Sequence, residues 1–111
     1  MASDKSFVEF IVDQVLTAGN ITYRKMFGDY TLYCDDKVVA LISDNRLFVK
    51  PTEAGRAFIG EVTNAPPYPG AKLWFLIDDR IEDRDWITTL IYISSKELPE
   101  RKIKKKKTKL S

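Results

Sequence analysis

Two short polar turns constrain this chain more than any other feature. Asp35-Asp36 and Ser43-Asp44-Asn45 cut a long apolar and β-branched stretch into pieces of strand length. Tyr30 to Cys34 alternates and is rich in aromatic and β-branched residues. Val38 to Ile42 is a near-continuous apolar run, as expected of a central strand, and Leu47 to Lys50 forms a third piece. Strands joined by so few residues have to lie antiparallel, because a parallel return needs a crossover of a dozen residues or more. Asn45 tolerates the positive φ that such turns demand. Ile21 to Met26 reads as a strand before them, with Gly28-Asp29 as a turn or bulge. The stretch from 21 to 50 is therefore predicted to be an antiparallel meander.

Helical patterns flank it. Residues 5 to 18 read as an amphipathic helix with Val8, Ile11, Val12, Val15 and Leu16 at helical spacing and Phe7 and Phe10 widening the face. Glu9, Asp13 and Gln14 fall on the polar side, Asp4 is placed to cap, and Gly19 is placed to end the helix in a left-handed turn. After Pro51, Thr52 can cap a short helix over 53 to 60 carrying Ala57, Phe58 and Ile59. Residues 63 to 71 hold three prolines and a glycine and read as a loop, at most an edge segment. Leu73 to Ile77 is the last strand. Asp83 or Asp85 can cap a final helix near 84 to 97, in which Trp86, Leu90 and Ile93 recur with Ile87 and Ile91 beside them. The order α-β-β-β-(β)-α-β-β-α, in which the partner of 73–77 has to come from the weak 62–70 region, is an α+β fold with helices on an antiparallel sheet. Residues 1–98 make the single domain, and 99–111 are expected to be a disordered lysine-rich tail.

Composition removes several function classes. The 111 residues include no histidine, so the commonest acid–base group near neutral pH and the commonest metal ligand are missing. One cysteine, Cys34, permits neither an internal disulfide nor a thiolate zinc site. The start lacks a cleavable apolar signal region, and no apolar run approaches the length of a membrane span. These points predict a cytoplasmic protein with no membrane partner. The formal net charge of +2 conceals a partition. Residues 1–100 carry 11 basic against 16 acidic side chains, a balance of −5, whereas residues 101–111 carry seven basic side chains and no acid. That run, Arg101, Lys102, Lys104, Lys105, Lys106, Lys107 and Lys109, repels itself into extended chain and can neutralise several phosphates without reading sequence. The plain alternative is a solubilising tail, or one folded back on the acidic body.

Other candidate sites carry less. Tyr23, Tyr30, Tyr33, Tyr68 and Trp74 would stack bases if they shared an exposed sheet face, but the charges among them include Asp29, Asp35 and Asp36, which repel phosphate. Asp78, Asp79, Glu82, Asp83 and Asp85 offer oxygen ligands. Their spacing is not that of a calcium loop, Arg80 and Arg84 neutralise them, and an acidic first turn suits a helix start. Cys34 has no histidine to activate it and reads as structural. No catalytic residue, cofactor or metal is assigned.

The block Tyr23-Arg24-Lys25-Met26-Phe27-Gly28-Asp29-Tyr30-Thr31-Leu32-Tyr33, continued by Lys37 to Ile42 and Leu47 to Lys50, resembles the N-terminal domain of the TfoX/Sxy family, bacterial regulators associated with natural competence. Met26, Phe27, Gly28, Tyr30, Leu32 and Tyr33 carry the motif, joined by Ala40, Leu41, Leu47 and Lys50. Asp29 and Thr31 stand where the family usually has glycine. The resemblance implies the order helix, three strands, helix, two strands, helix. It also implies a non-enzymatic regulatory or interaction module acting on or beside transcription machinery. The motif residues themselves read as core beside a turn. The leading expectation is thus a docking module for a protein partner, with a homodimer as one arrangement, and a tail that adds non-specific affinity for DNA or RNA. A nucleic-acid binder using tail and sheet aromatics is the alternative, and a carboxylate or metal enzyme the third.

Overall fold

The computed structural model describes residues 4–26 and 29–98. The tail from 99 to 111 and the motif residues Phe27 and Gly28 lie outside the described residues. Helix α1 (Lys5–Gln14) runs through a 3₁₀ turn (Leu16–Ala18) into four strands in succession, β1 (Ile21–Met26), β2 (Asp29–Cys34), β3 (Lys37–Ser43) and β4 (Arg46–Val49). Helix α2 (Glu53–Ile59) carries the chain across to β5 (Thr63–Ala65) and β6 (Trp74–Ile77), and α3 (Arg84–Glu97) completes the fold. The sheet order is β1-β2-β3-β4-β6-β5, with every neighbouring pair antiparallel. This is the α+β arrangement expected, with the bracketed strand realised as β4.

The two turns behave as their chemistry requires. Asp35 and Asp36 take φ of 54° and 67°, and Asp44 and Asn45 take 54° and 56°. Positive φ at both central residues is the two-residue hairpin geometry whose twist matches the flanking strands. Asp29 belongs to β2, opposite Met26, rather than to a turn. The irregularity falls instead in β3: Leu32 pairs with Ala40 and Tyr33 with Val38, so Val39 is an extra residue, and Val39 and Ala40 both enter the core. Asp29 and Thr31, which replace family glycines, sit in extended strand without positive φ.

One core joins the layers. Val8, Ile11 and Val15 from the N-terminal helical segment and Ile87, Leu90 and Ile91 from α3 pack on Leu32, Ala40, Ile42, Leu47, Val49, Phe75 and Ile77 of the sheet, with Phe58 and Ile59 of α2 at its margin. All three helices thus cover one side.

Several expectations need correction. The first α-helix stops at Gln14, and Leu16 and Phe10 are exposed rather than buried. Asp4 does not cap α1 with its side chain; its carboxylate accepts a bond from Asn45 Nδ2 instead. Gly19 is extended rather than left-handed, at φ 165°. Gln14, assigned to the polar side, is buried and donates from Nε2 to the Ile81 carbonyl at 2.8 Å. It lies three residues from Ile11, on the edge of the buried stripe. Leu73 lies outside β6 and is exposed. The weak 63–71 segment supplies β5 as an edge strand, the limit of what its prolines allow.

Candidate interaction surface

Strand alternation sends every second side chain to the side of the sheet that the helices leave open. The register then lines residues up across it. Arg24 lies opposite Thr31, Thr31 opposite Leu41, Leu41 opposite Phe48, and Phe48 opposite Leu76. A shorter row sets Thr22 against Tyr33 and Tyr33 against Val38. Phe48 and Tyr33 are buried yet stand apart from the helix-side core. Leu41, Val38, Leu76 and Trp74 are half-buried. What solvent reaches on this face is therefore the half-buried apolar group of β3 and β6 on either side of the buried Phe48, with cationic groups beside it: Arg24 is exposed on β1, and the Arg46 guanidinium lies 5.4 Å over the Phe48 ring.

The tyrosines do not form one platform. Tyr23 and Tyr30 turn to the helix side, where their rings meet edge to face at 5.8 Å, and Tyr30 is buried. Tyr33 is buried and Trp74 half-buried on the other face, and Tyr68 is exposed in the β5–β6 loop. Among the motif residues, Tyr30 and Leu32 are core and Tyr33 faces away from the helices. Met26 ends β1.

The acidic segment is a helix start. Asp83 caps α3 by accepting from Trp86 N–H at 3.2 Å, and Asp85 lies in the first turn. Arg84 reaches back to Asp13, bonding its carbonyl and its carboxylate at 2.8 Å each, and Thr88 Oγ1 donates to the Gln14 carbonyl at 2.7 Å. These contacts lock the end of α1 to the start of α3. Arg80 lies 4.9 Å over the Trp86 ring, which itself stacks near Phe58. Among the described residues, no group of three or more Asp, Glu or Cys is gathered to hold a metal ion.

Cys34 is buried beneath the 3₁₀ turn, its Sγ 3.8 Å from the Ala18 carbonyl. Burial pushes its thiol pKa up, against a partial opposing effect of hydrogen bonding at Ser95. Lys37 Nζ donates to the Ser95 carbonyl at 2.9 Å and ties β3 to α3. The polar residues that lock the layers, Gln14, Thr88 and Ser95, were not legible as such. Their only signal is position, on or beside the buried helical stripe.

No helix among the described residues is long and apolar enough to cross a membrane. The model of the TfoX N-terminal domain matches residues 13–98. An uncharacterized 12.7 kDa protein in the trpE 5′ region of Spirochaeta aurantia is 41% identical over 109 residues, covering 98% of this chain and 95% of that protein. Protein Sxy of Escherichia coli (strain K12) is 42% identical over 41 residues, which is 37% of this chain but 20% of Sxy. With four-fifths of Sxy outside the match, that likeness is confined to one segment, whereas the family match takes in every strand and the final helix. The chain belongs to the TfoX N-terminal domain family.

Proposed function

We propose that this chain is a non-enzymatic regulatory module that docks on a protein partner through the open face of its sheet. The observation that carries this reading is the group of half-buried apolar side chains Val38, Leu41, Trp74 and Leu76, set around the buried Phe48 on the side of the sheet away from the helices. Half-buried apolar side chains rimmed by polar and cationic groups suit an apolar protein surface better than a polyanion. The −5 balance of residues 1–100 argues the same way, since it disfavours phosphate on the body. The basic run 101–109 then supplies sequence-independent attraction to DNA or RNA, and any base specificity comes from the partner. Membership of a regulatory family supports a role beside transcription machinery.

Affinity capture from the native cell, with and without nuclease, tests the reading when paired with a Leu41→Glu variant. Leu41 is half-buried on the open face, so the substitution charges that face without entering the helix-side core. The expected result is a partner that survives nuclease and is lost from the variant while its thermal unfolding stays cooperative. A partner released by nuclease, or one held equally by the variant, overturns the proposal.

A further inference from the structure

The two outer edges of the sheet are built differently. At one, β5 is three residues long and runs directly into Pro66-Pro67, a combination that blocks strand addition. At the other, β1 pairs with β2 over six residues in unbroken register, with no proline and no bulge. The direction of its free backbone groups follows from the ladder. Asp35 N–H donates to the Asn20 carbonyl at 2.9 Å, which makes Asn20 and Asp35 a hydrogen-bonded pair. Alternation along the same register makes Thr22–Tyr33 and Arg24–Thr31 hydrogen-bonded pairs as well. The N–H and C=O groups of Ile21, Tyr23 and Lys25 therefore point away from β2, and among the described residues no strand meets them.

We propose that this edge pairs antiparallel with β1 of a second copy, centred on Tyr23, so that two sheets become one. The strand is self-complementary in that register. All three outward residues of each copy then exchange backbone hydrogen bonds: Tyr23 with the partner's Tyr23, and Ile21 with the partner's Lys25. Arg24 falls opposite the partner's Thr22, so no like charges are directly opposed. Recentring on Arg24 would set that guanidinium against its own copy, and recentring on Thr22 would carry Lys25 past the end of the strand. Tyr23, half-buried beside Tyr30, brings an aromatic cross-strand pair to the two-fold axis. The Arg24 side chains of the two copies become diagonal neighbours at roughly 7–8 Å, so added salt tightens the dimer. This surface is separate from the open face, and the inference does not depend on that proposal.

Sedimentation velocity on the full chain across protein concentration reads the equilibrium directly. The expected result is a 12.8 kDa species that moves to twice that mass as concentration rises, with the shift more complete in higher salt. Lys25→Pro removes one outward N–H and no bond of the β1–β2 ladder, and the Lys25 side chain is exposed. It should abolish the dimer and keep the melting transition. Cysteine cross-linking reads the register and decides the matter even if the proline variant unfolds. The double variant Thr22→Cys with Arg24→Cys should cross-link on oxidation and either single variant should not, because each new thiol needs the other opposite it. Native Cys34 is buried and gives little background. A monomer at every concentration, a dimer that persists in a folded Lys25→Pro variant, or cross-linking of either single variant overturns the proposal.

Discussion

Gly19 occupies a place where a side chain has no room. A Cβ there would lie 2.7 Å from Cys34 Sγ and 3.2 Å from both carboxylate oxygens of Asp35. Its backbone is extended, so close approach rather than φ is the constraint. Gly19→Ala is expected to lower stability by about 1–3 kcal/mol in urea unfolding, the cost of forcing a methyl group against the Cys34 sulfur. Adding Cys34→Ala, which removes the obstructing sulfur, should recover part of that loss, and a double-mutant cycle measures the coupling. The same burial governs the response to pH. A thiol pKa raised by folding means that the native state holds the proton longer than the unfolded chain does. The stability this lends is complete below the ordinary thiol pKa of about 8.5 and is lost as pH climbs through the raised value. The wild-type protein should therefore lose stability with rising alkaline pH more steeply than Cys34→Ala, as denaturant titrations at several pH values would show. The sequence marked Cys34 as structural, because the chain has no histidine to activate it. It gave the wrong reason for Gly19, because contacts fifteen and sixteen residues ahead leave no trace in local pattern.

Helix α2 is short and depends on its neighbour. Thr52 Oγ1 accepts from Gly55 N–H at 2.9 Å, as expected of a threonine placed before a helix. The remaining free N–H groups of the first turn go to α3: Glu97 accepts from Ala54 N–H at 2.9 Å and from Glu53 N–H at 3.3 Å. Glu97→Ala should cost about 1 kcal/mol, the usual worth of a cap, visible as a lower melting temperature. The two helices also approach closely where Gly55 faces Ser94, whose hydroxyl is fully buried and finds no hydrogen-bond partner among the described residues. Ser94→Ala removes an unsatisfied group and should raise stability by about 1 kcal/mol in the same assay. The bounds of α3 were legible because Asp83 caps it and Ile87, Leu90 and Ile91 repeat. That Ser94 belongs to the buried stripe was not, since a serine near a helix end reads as solvent-facing. The meander was the clearest element of all, because positive φ at Asp35, Asp36, Asp44 and Asn45 is something only a few residue types accept readily.

At the scale of the molecule, charge and architecture divide the work. The helices and one face of the sheet make the core, the other face and the β1 edge are the surfaces proposed to meet partners, and the strongest charge follows them in the sequence. A net +2 is the sum of a −5 body and the +7 of residues 101–111. The proposed attraction to nucleic acid therefore falls to residues 101–109, and its salt dependence is the test. If the tail engages ~4 phosphates on a duplex, log K falls by ~3.6 for each tenfold rise in salt, through release of condensed counterions. Fluorescence anisotropy with an unrelated DNA duplex should give that slope for the full chain, with little preference among sequences. A chain ending at residue 100 should show no binding at moderate salt, because what remains is acidic and repels phosphate. The β1-edge dimer responds oppositely, since salt screens both the diagonal Arg24 pair and the repulsion between two acidic bodies. One salt series on the full chain thus separates the two: duplex affinity falls across it while the dimer fraction rises. Binding by the truncated chain at moderate salt would move the interaction onto the body and make the open face, with Arg24 and Arg46 beside it, the surface to mutate next.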